Sequence, residues 1–226
     1  MKKLTLFVKQ ELISLADPEK AAPMAAYMKT DMPFYGVQSG ERRQIARQAM
    51  QRFPVESRAA YEDAVLDLWR QPHREEKYIA VTLARLHRKF IGLGSIALYE
   101  RLIREGAWWD FVDEAAVHLV GSALKACPEE LWPVIDRWIE DRDMWIRRTA
   151  LLCQNRHKKR TDGKRLFRYC LARSPEGEFF IRKAIGWALR EYSKSEPEAV
   201  QQFLLANKDK LSALSFKEAA RRLQKM

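Results

Sequence analysis

Apolar residues recur along this chain at intervals of three and four with few breaks, the period of helices that bury one face, and strand-like alternation is absent. Helix starts are marked repeatedly. Asp17-Pro18-Glu19 sets a capping residue ahead of a first-turn proline, Ser174-Pro175-Glu176 does the same, and Ser215-Phe216-Lys217-Glu218 has the spacing of a capping box. Stops are expected near Gly92, Gly106, Asp141 and Gly163, so the helices should be about 10–20 residues long with short links. The longest loop-like stretch runs from Thr30 to Gly40 and carries Pro33, Gly36 and Gly40. No Pro/Ser/Gly-rich linker divides the chain, which predicts a single domain over residues 1–226.

Four segments of this helical pattern superimpose. They begin at Tyr78, Phe111, Trp145 and Phe180, spaced by 33, 34 and 35 residues, and each reads aromatic, β-branched, two variable positions, a small residue, then apolar or small. A period that long holds two short antiparallel helices, and stacked pairs make an α-solenoid. The expected fold is therefore all-α, a HEAT-like helical repeat with a concave basic face.

Composition narrows the chemistry. In 226 residues, 47% are apolar and 31% charged, a globular balance, but only 9 are glycine. That scarcity argues against Gly-rich phosphate loops, and neither a Walker A sequence nor a dinucleotide fingerprint occurs. No apolar run approaches the ~20 residues of a membrane span, and Lys9 and Glu11 interrupt the only leader-like start. Cys127, Cys153 and Cys170 are widely spaced among apolar neighbours and read as buried thiols of a cytoplasmic protein. The four histidines lack metal-ligand spacing, so neither a metal nor a cofactor is expected.

Charge gives the first functional pointer. Of a net +11, residues 145–195 supply +10, with fourteen Lys/Arg against four acids. Such a block is the footprint of a polyanion partner, and its interleaved aromatics make a membrane surface a weaker fit. The variable repeat positions are cationic in the third and fourth copies (Arg147, Arg148, Arg182, Lys183) but acidic in the second (Asp113, Glu114). Equivalent positions of a solenoid share a surface, so Asp113 should face those cations. Trp109 precedes Asp113 by one turn, and Lys183, Trp187 and Arg190 form a cation–indole–cation stripe suited to stacking on a nucleotide. Trp69, Trp108, Trp132, Trp138 and Trp145 lack that bracketing and read as packing. His157, inside Arg156-His157-Lys158-Lys159-Arg160, reads as a phosphate or solvent contact.

The chain resembles the AlkD-like DNA glycosylases, HEAT-like repeat enzymes that excise alkylated purines. The likeness rests on Pro18-Glu19-Lys20-Ala21, Tyr27-Met28-Lys29, Gly36-Val37-Gln38 and Trp108-Trp109-Asp110-Phe111-Val112-Asp113. Most specific is Phe179-Phe180-Ile181-Arg182-Lys183-Ala184-Ile185-Gly186-Trp187-Ala188-Leu189-Arg190-Glu191-Tyr192; residues 55–75 and the C-terminal 25 match less well. The resemblance implies hydrolysis of the N-glycosidic bond of cationic N3- or N7-alkylated purines, such as 3-methyladenine and 7-methylguanine, by a monomer acting on double-stranded DNA. It implies Asp113 as the catalytic carboxylate and Trp109 and Trp187 as sugar contacts. Arg148 and Arg190 would hold the backbone, joined in DNA binding by Arg147, Arg182, Lys183, Tyr27 and Gln38. Residue chemistry agrees: a fixed carboxylate and indole faces can stabilise an oxocarbenium-like sugar, and a cationic purine leaves without a general acid. None of the four histidines lies in the Asp113 or Trp187 segments, so activity confined to charged bases is expected. The competing reading is a non-catalytic helical-repeat scaffold binding nucleic acid or protein, the commoner use of such folds.

Overall fold

The computed structural model describes residues 2–223. Among them there is no strand, and the chain gathers into two compact units that divide between Ile91 and Gly92. The first holds α1 (Lys2–Ser14), α2 (Pro18–Met28), α3 (Ser39–Arg52), α4 (Arg58–Trp69) and α5 (Arg74–Leu86). Helix α1 buries Leu4, Val8 and Leu12, one per turn, and packs on α3 and α4. Asp17 caps α2 as its sequence suggests, its side chain accepting from the Lys20 N–H.

Buried acids at the start of α5 shape the loop before α3. Glu75, fully buried, accepts the backbone N–H groups of Tyr35, Gly36 and Val37 at 3.1, 2.8 and 3.2 Å. Glu76 accepts the Tyr35 hydroxyl at 3.1 Å and the His73 N–H at 3.0 Å. These bonds satisfy amides that an extended loop would otherwise bury unpaired. Gly36 has φ +89°, and a Cβ there would lie 2.0 Å from the Asp17 carbonyl oxygen, so no other residue fits.

The second unit is built of helix pairs: α6 (Ile96–Gly106) with α7 (Trp109–Glu114), α9 (Pro128–Trp138) with α10 (Met144–Leu152), α11 (Gly163–Arg173) with α12 (Phe179–Tyr192), and α13 (Pro197–Ala206) with α14 (Ala213–Ala220). Helix α7 continues through a π-helical segment, Ala115–Val120, into α8 (Gly121–Ala126). The four repeated segments all fall on helices: α5, α7, α10 and α12. Their β-branched positions, Ile79, Val112, Ile146 and Ile181, have no exposed surface, which is why the repeat is visible in the sequence. Trp145, Trp138 and Trp69 are buried as expected, and Trp108 packs on Trp145 and Phe180. Cys153 and Cys170 are fully buried, and burial pushes the Cys153 thiol up to about 12.

Several boundary readings need correction. Gly163 opens α11, with Asp162 as the cap, because the preceding helix has already ended at Leu152. Ser174-Pro175-Glu176 forms the turn after α11, and α12 starts at Phe179. The cap of α14 is Ser212, which bonds the Ser215 N–H; Ser215 lies inside the helix and donates its hydroxyl to the Arg182 carbonyl.

His157 is likewise not a surface contact. Its ring is buried, and Nε2 lies 2.8 Å from the Gly121 carbonyl oxygen, to which it donates. Gly121 permits the approach, since a Cβ there would meet the Cys153 carbonyl oxygen at 2.2 Å. Burial, reinforced by the Lys125 and Arg160 charges, pulls the imidazole pKa down to about 4. Neutral His157 is therefore favoured in the folded chain, and the unfolded chain binds the extra proton between pH 6.5 and 4. Stability should be full above pH 6.5 and fall by up to about 3 kcal/mol as pH drops towards 4. Urea unfolding across that range checks this, and His157→Gln should flatten the slope; an equal slope in the variant would remove His157 as its source.

Candidate active site

Asp113 and Trp109 lie one turn apart on α7, and Trp187 lies within α12. All three line one cavity of about 860 Å³ in the second unit. The structure thus brings together the carboxylate and both indoles singled out from sequence, although Asp113 and Trp187 stand 74 residues apart in the chain.

Asp113 is held by α10. Arg148 Nε and Nη2 donate to its two carboxylate oxygens, each at 2.8 Å, while Nη1 donates to the Phe180 carbonyl. Arg148 is only 4% exposed, so this is a buried, bidentate, charge-assisted pair. All three guanidinium nitrogens are thereby engaged. Burial raises the Asp113 pKa above the usual carboxylate value, and the Arg148 hydrogen bonds and charge oppose that rise. Asp110 and Glu114 add smaller upward pushes.

The other cations expected from sequence to bind DNA, Arg147, Arg182, Lys183 and Arg190, do not line the cavity. Arg147 pairs with Glu176 at 2.8 Å and donates to the Asp141 carbonyl. Arg182 donates to the Gly177 carbonyl. Lys183, at 3.0 Å, and Arg190 share Glu218 of α14, which lowers the Glu218 pKa. The stripe on α12 is thus split: its indole lines the cavity and its cations brace α14. Tyr27 and Gln38 belong to the first unit. Tyr27 is 71% exposed on α2, and Gln38 precedes α3, its N–H donating to Glu41 at 2.9 Å.

Other lining residues were not foreseen. His118 joins the cavity, correcting the expectation that no histidine stands near Asp113. The wide turn of the π segment brings a residue five positions on to the same side, a spacing that α-helical periodicity does not reveal. Its Nε2 lies 3.8 Å from Glu114. Tyr192 and Lys194 line the wall near Trp187, and Arg156 and Lys158 line it from the turn after α10. Among the described residues no group of three or more His, Cys, Asp or Glu is placed to hold a metal ion, and no helix is long and apolar enough to cross a membrane. A carboxylate and two indoles around a space large enough to admit a nucleoside can together hold a sugar and stabilise positive charge on it.

Comparison with known proteins bears on what that chemistry serves. The family model described as DNA alkylation repair enzyme matches residues 8–223. No functionally curated protein matches the chain. Among solved structures, a protein described as a predicted DNA alkylation repair enzyme from Enterococcus faecalis is 29% identical, with a TM-score of 0.86 over 93% of this chain and 98% of its own. AlkD2 from Streptococcus mutans is 17% identical, with a TM-score of 0.64 over 88% of this chain and 97% of its own, a likeness of fold. A match over nearly the whole length, on an all-helical repeat fold, decides the family: the chain belongs to the DNA alkylation repair enzymes.

Proposed function

We propose that this chain is a monofunctional DNA glycosylase that hydrolyses the N-glycosidic bond of cationic N3- or N7-alkylated purines in double-stranded DNA, opening base excision repair as a cytoplasmic monomer. The observation that carries the reading is Asp113, pinned by Arg148, in a cavity it shares with Trp109 and Trp187. As the C1′–N bond breaks, its electron pair leaves with the purine and positive charge develops on the deoxyribose. The Asp113 carboxylate stabilises that charge and orients the water that adds to C1′, whose proton is released to the carboxylate or solvent. Indole faces contribute about 0.5–2 kcal/mol each by cation–π attraction in a desolvated site. Alkylation has already made the purine a good leaving group. Lys183 is engaged by Glu218, which argues against a Schiff-base step and strand cleavage.

Arg148 is assigned the role of fixing Asp113, and the exposed Tyr27, with Gln38 and Arg182, that of contacting the duplex, whereas Arg147, Lys183 and Arg190 are held by carboxylates and brace neighbouring elements. A scaffold role accounts for the basic block but gives no reason for a buried, Arg148-bound carboxylate in a cavity lined by two indoles.

Incubation with duplex DNA carrying 7-methylguanine should release the free base. Asp113→Asn should slow single-turnover release by at least about 10²-fold, the effect of losing a preorganised electrostatic stabiliser. The substitution also leaves Arg148 facing an uncharged amide, at a cost of about 3 kcal/mol, so the assay belongs well below the variant's unfolding temperature. A folded Asp113→Asn protein releasing base at near the wild-type rate would remove Asp113 from the chemistry.

A further inference from the structure

Eight of the fourteen cations in residues 145–195 are already committed to carboxylates: Arg147, Arg148, Arg165, Arg168, Arg173, Lys183, Arg190 and Lys194. Five of the other six lie between residues 156 and 164. Arg156, Lys158, Lys159 and Arg160 are exposed, and among the described residues none of these four side chains has an acidic partner. A paired cation must surrender a carboxylate before it can serve a phosphate; these four have none to surrender.

The turn that carries them is anchored rather than loose. Buried His157 ties it to the Gly121 carbonyl, Lys125 Nζ donates to the Arg156 carbonyl at 2.6 Å, and Arg160 donates to the Lys125 carbonyl at 3.4 Å. Helix α8 therefore fixes the turn at three points. Lys158 sits at φ +54° after a right-handed His157, which turns the chain back sharply towards α8. The crowding is felt locally: burial first, then the charges of Arg160, Arg156 and Lys158, lower the Lys125 pKa. Two members of the set, Arg156 and Lys158, line the same cavity as Asp113 and Trp187.

We infer that the 156–160 turn is a preformed clamp for the DNA phosphodiester flanking the nucleotide whose sugar occupies the Asp113 cavity, with Arg156 and Lys158 as its contacts. The clamp rests on the reading of the cavity as a deoxyribose site. It places the strongest free positive charge beside the site and leaves the paired cations to hold the repeats together. It also explains how a carboxylate-lined cavity attracts a polyanion: Asp110, Asp113 and Glu114 of α7 and Glu191 of α12, the last paired with Lys194, are offset by the Arg156 and Lys158 charges in the same lining.

The test is fluorescence anisotropy with a duplex bearing a tetrahydrofuran abasic analogue, measured over a KCl series. That ligand has no base to release, so the readout is independent of glycosylase activity. Arg156→Gln and Lys158→Gln should each weaken binding and each lower the slope of log affinity against log salt by about 0.9. Arg137→Gln, on α9 and away from the cavity lining, should leave the slope nearly unchanged. Replacing the phosphate on either side of the analogue with an uncharged methylphosphonate should reproduce the loss at one position, and there the substitutions should add no further loss. An unchanged slope in both turn variants overturns the clamp. Full additivity with methylphosphonate at both flanking positions overturns its placement beside the cavity. If wild-type protein failed to release 7-methylguanine while both slopes fell as stated, the glycosylase reading would fail and the clamp would stand.

Discussion

Asp113 and Arg148 are both withdrawn from water and bonded to one another by two 2.8 Å hydrogen bonds, and much of the second unit's arrangement follows from that pair. Desolvating two charges costs several kcal/mol each, a cost recovered only if geometry is good and the leftover donor finds a partner. The Phe180 carbonyl takes that donor, so one guanidinium links α7, α10 and α12. These are the second helices of three successive repeats. The interaction that positions the carboxylate therefore also fixes the register of the helices carrying Trp109 and Trp187. A more exposed carboxylate would hold its charge more easily but would stabilise a sugar cation less, because water screens it.

The same division of labour runs through the rest of the basic segment. Ion pairs such as Arg147–Glu176, Arg173–Glu140 and Arg190–Glu218 join elements of neighbouring repeats. Their worth is registry more than raw stability, since partly exposed pairs contribute little. Four of the six cations in this segment that hold no carboxylate among the described residues gather in one turn, held by a histidine that burial keeps neutral. On the proposed reading, structure and binding draw on different members of one charge block.

Much of this was legible in the sequence. The β-branched positions repeated at 33–35 residues because each is buried in its own helix: Ile79, Val112, Ile146 and Ile181 have no exposed surface, while the aromatic positions range from buried Phe111 and Trp145 to half-buried Tyr78 and Phe180. Asp113 stood out as an acid at a cationic position, and the structure gives its partner as Arg148, the neighbour of the repeat-equivalent residue. What could not be read depended on contacts between distant residues. Ser215-Phe216-Lys217-Glu218 has the spacing of a capping box, but Glu218 serves Lys183 and Arg190 while Ser212 caps. Glu75 and Glu76 look like solvent-facing first-turn acids until the 35–37 loop supplies their donors. His118 escaped notice because a π segment shifts the helical phase. His157 lay within a run of cations that marks an exposed strip, and only the Gly121 carbonyl explains its burial.

The central claim is that Arg148 holds Asp113 as a working carboxylate, rather than serving chiefly to grip DNA. The most direct measurement is the pH dependence of single-turnover 7-methylguanine release, at saturating enzyme, for wild type and Arg148→Gln. Activity requires the ionised carboxylate, so each profile should rise with pH through the Asp113 pKa. Without the guanidinium, burial acts on Asp113 unopposed, and the acid limb should move to higher pH by about 1–3 units. An Arg148→Gln profile with its acid limb unmoved, and only a uniformly lower rate, would contradict the account.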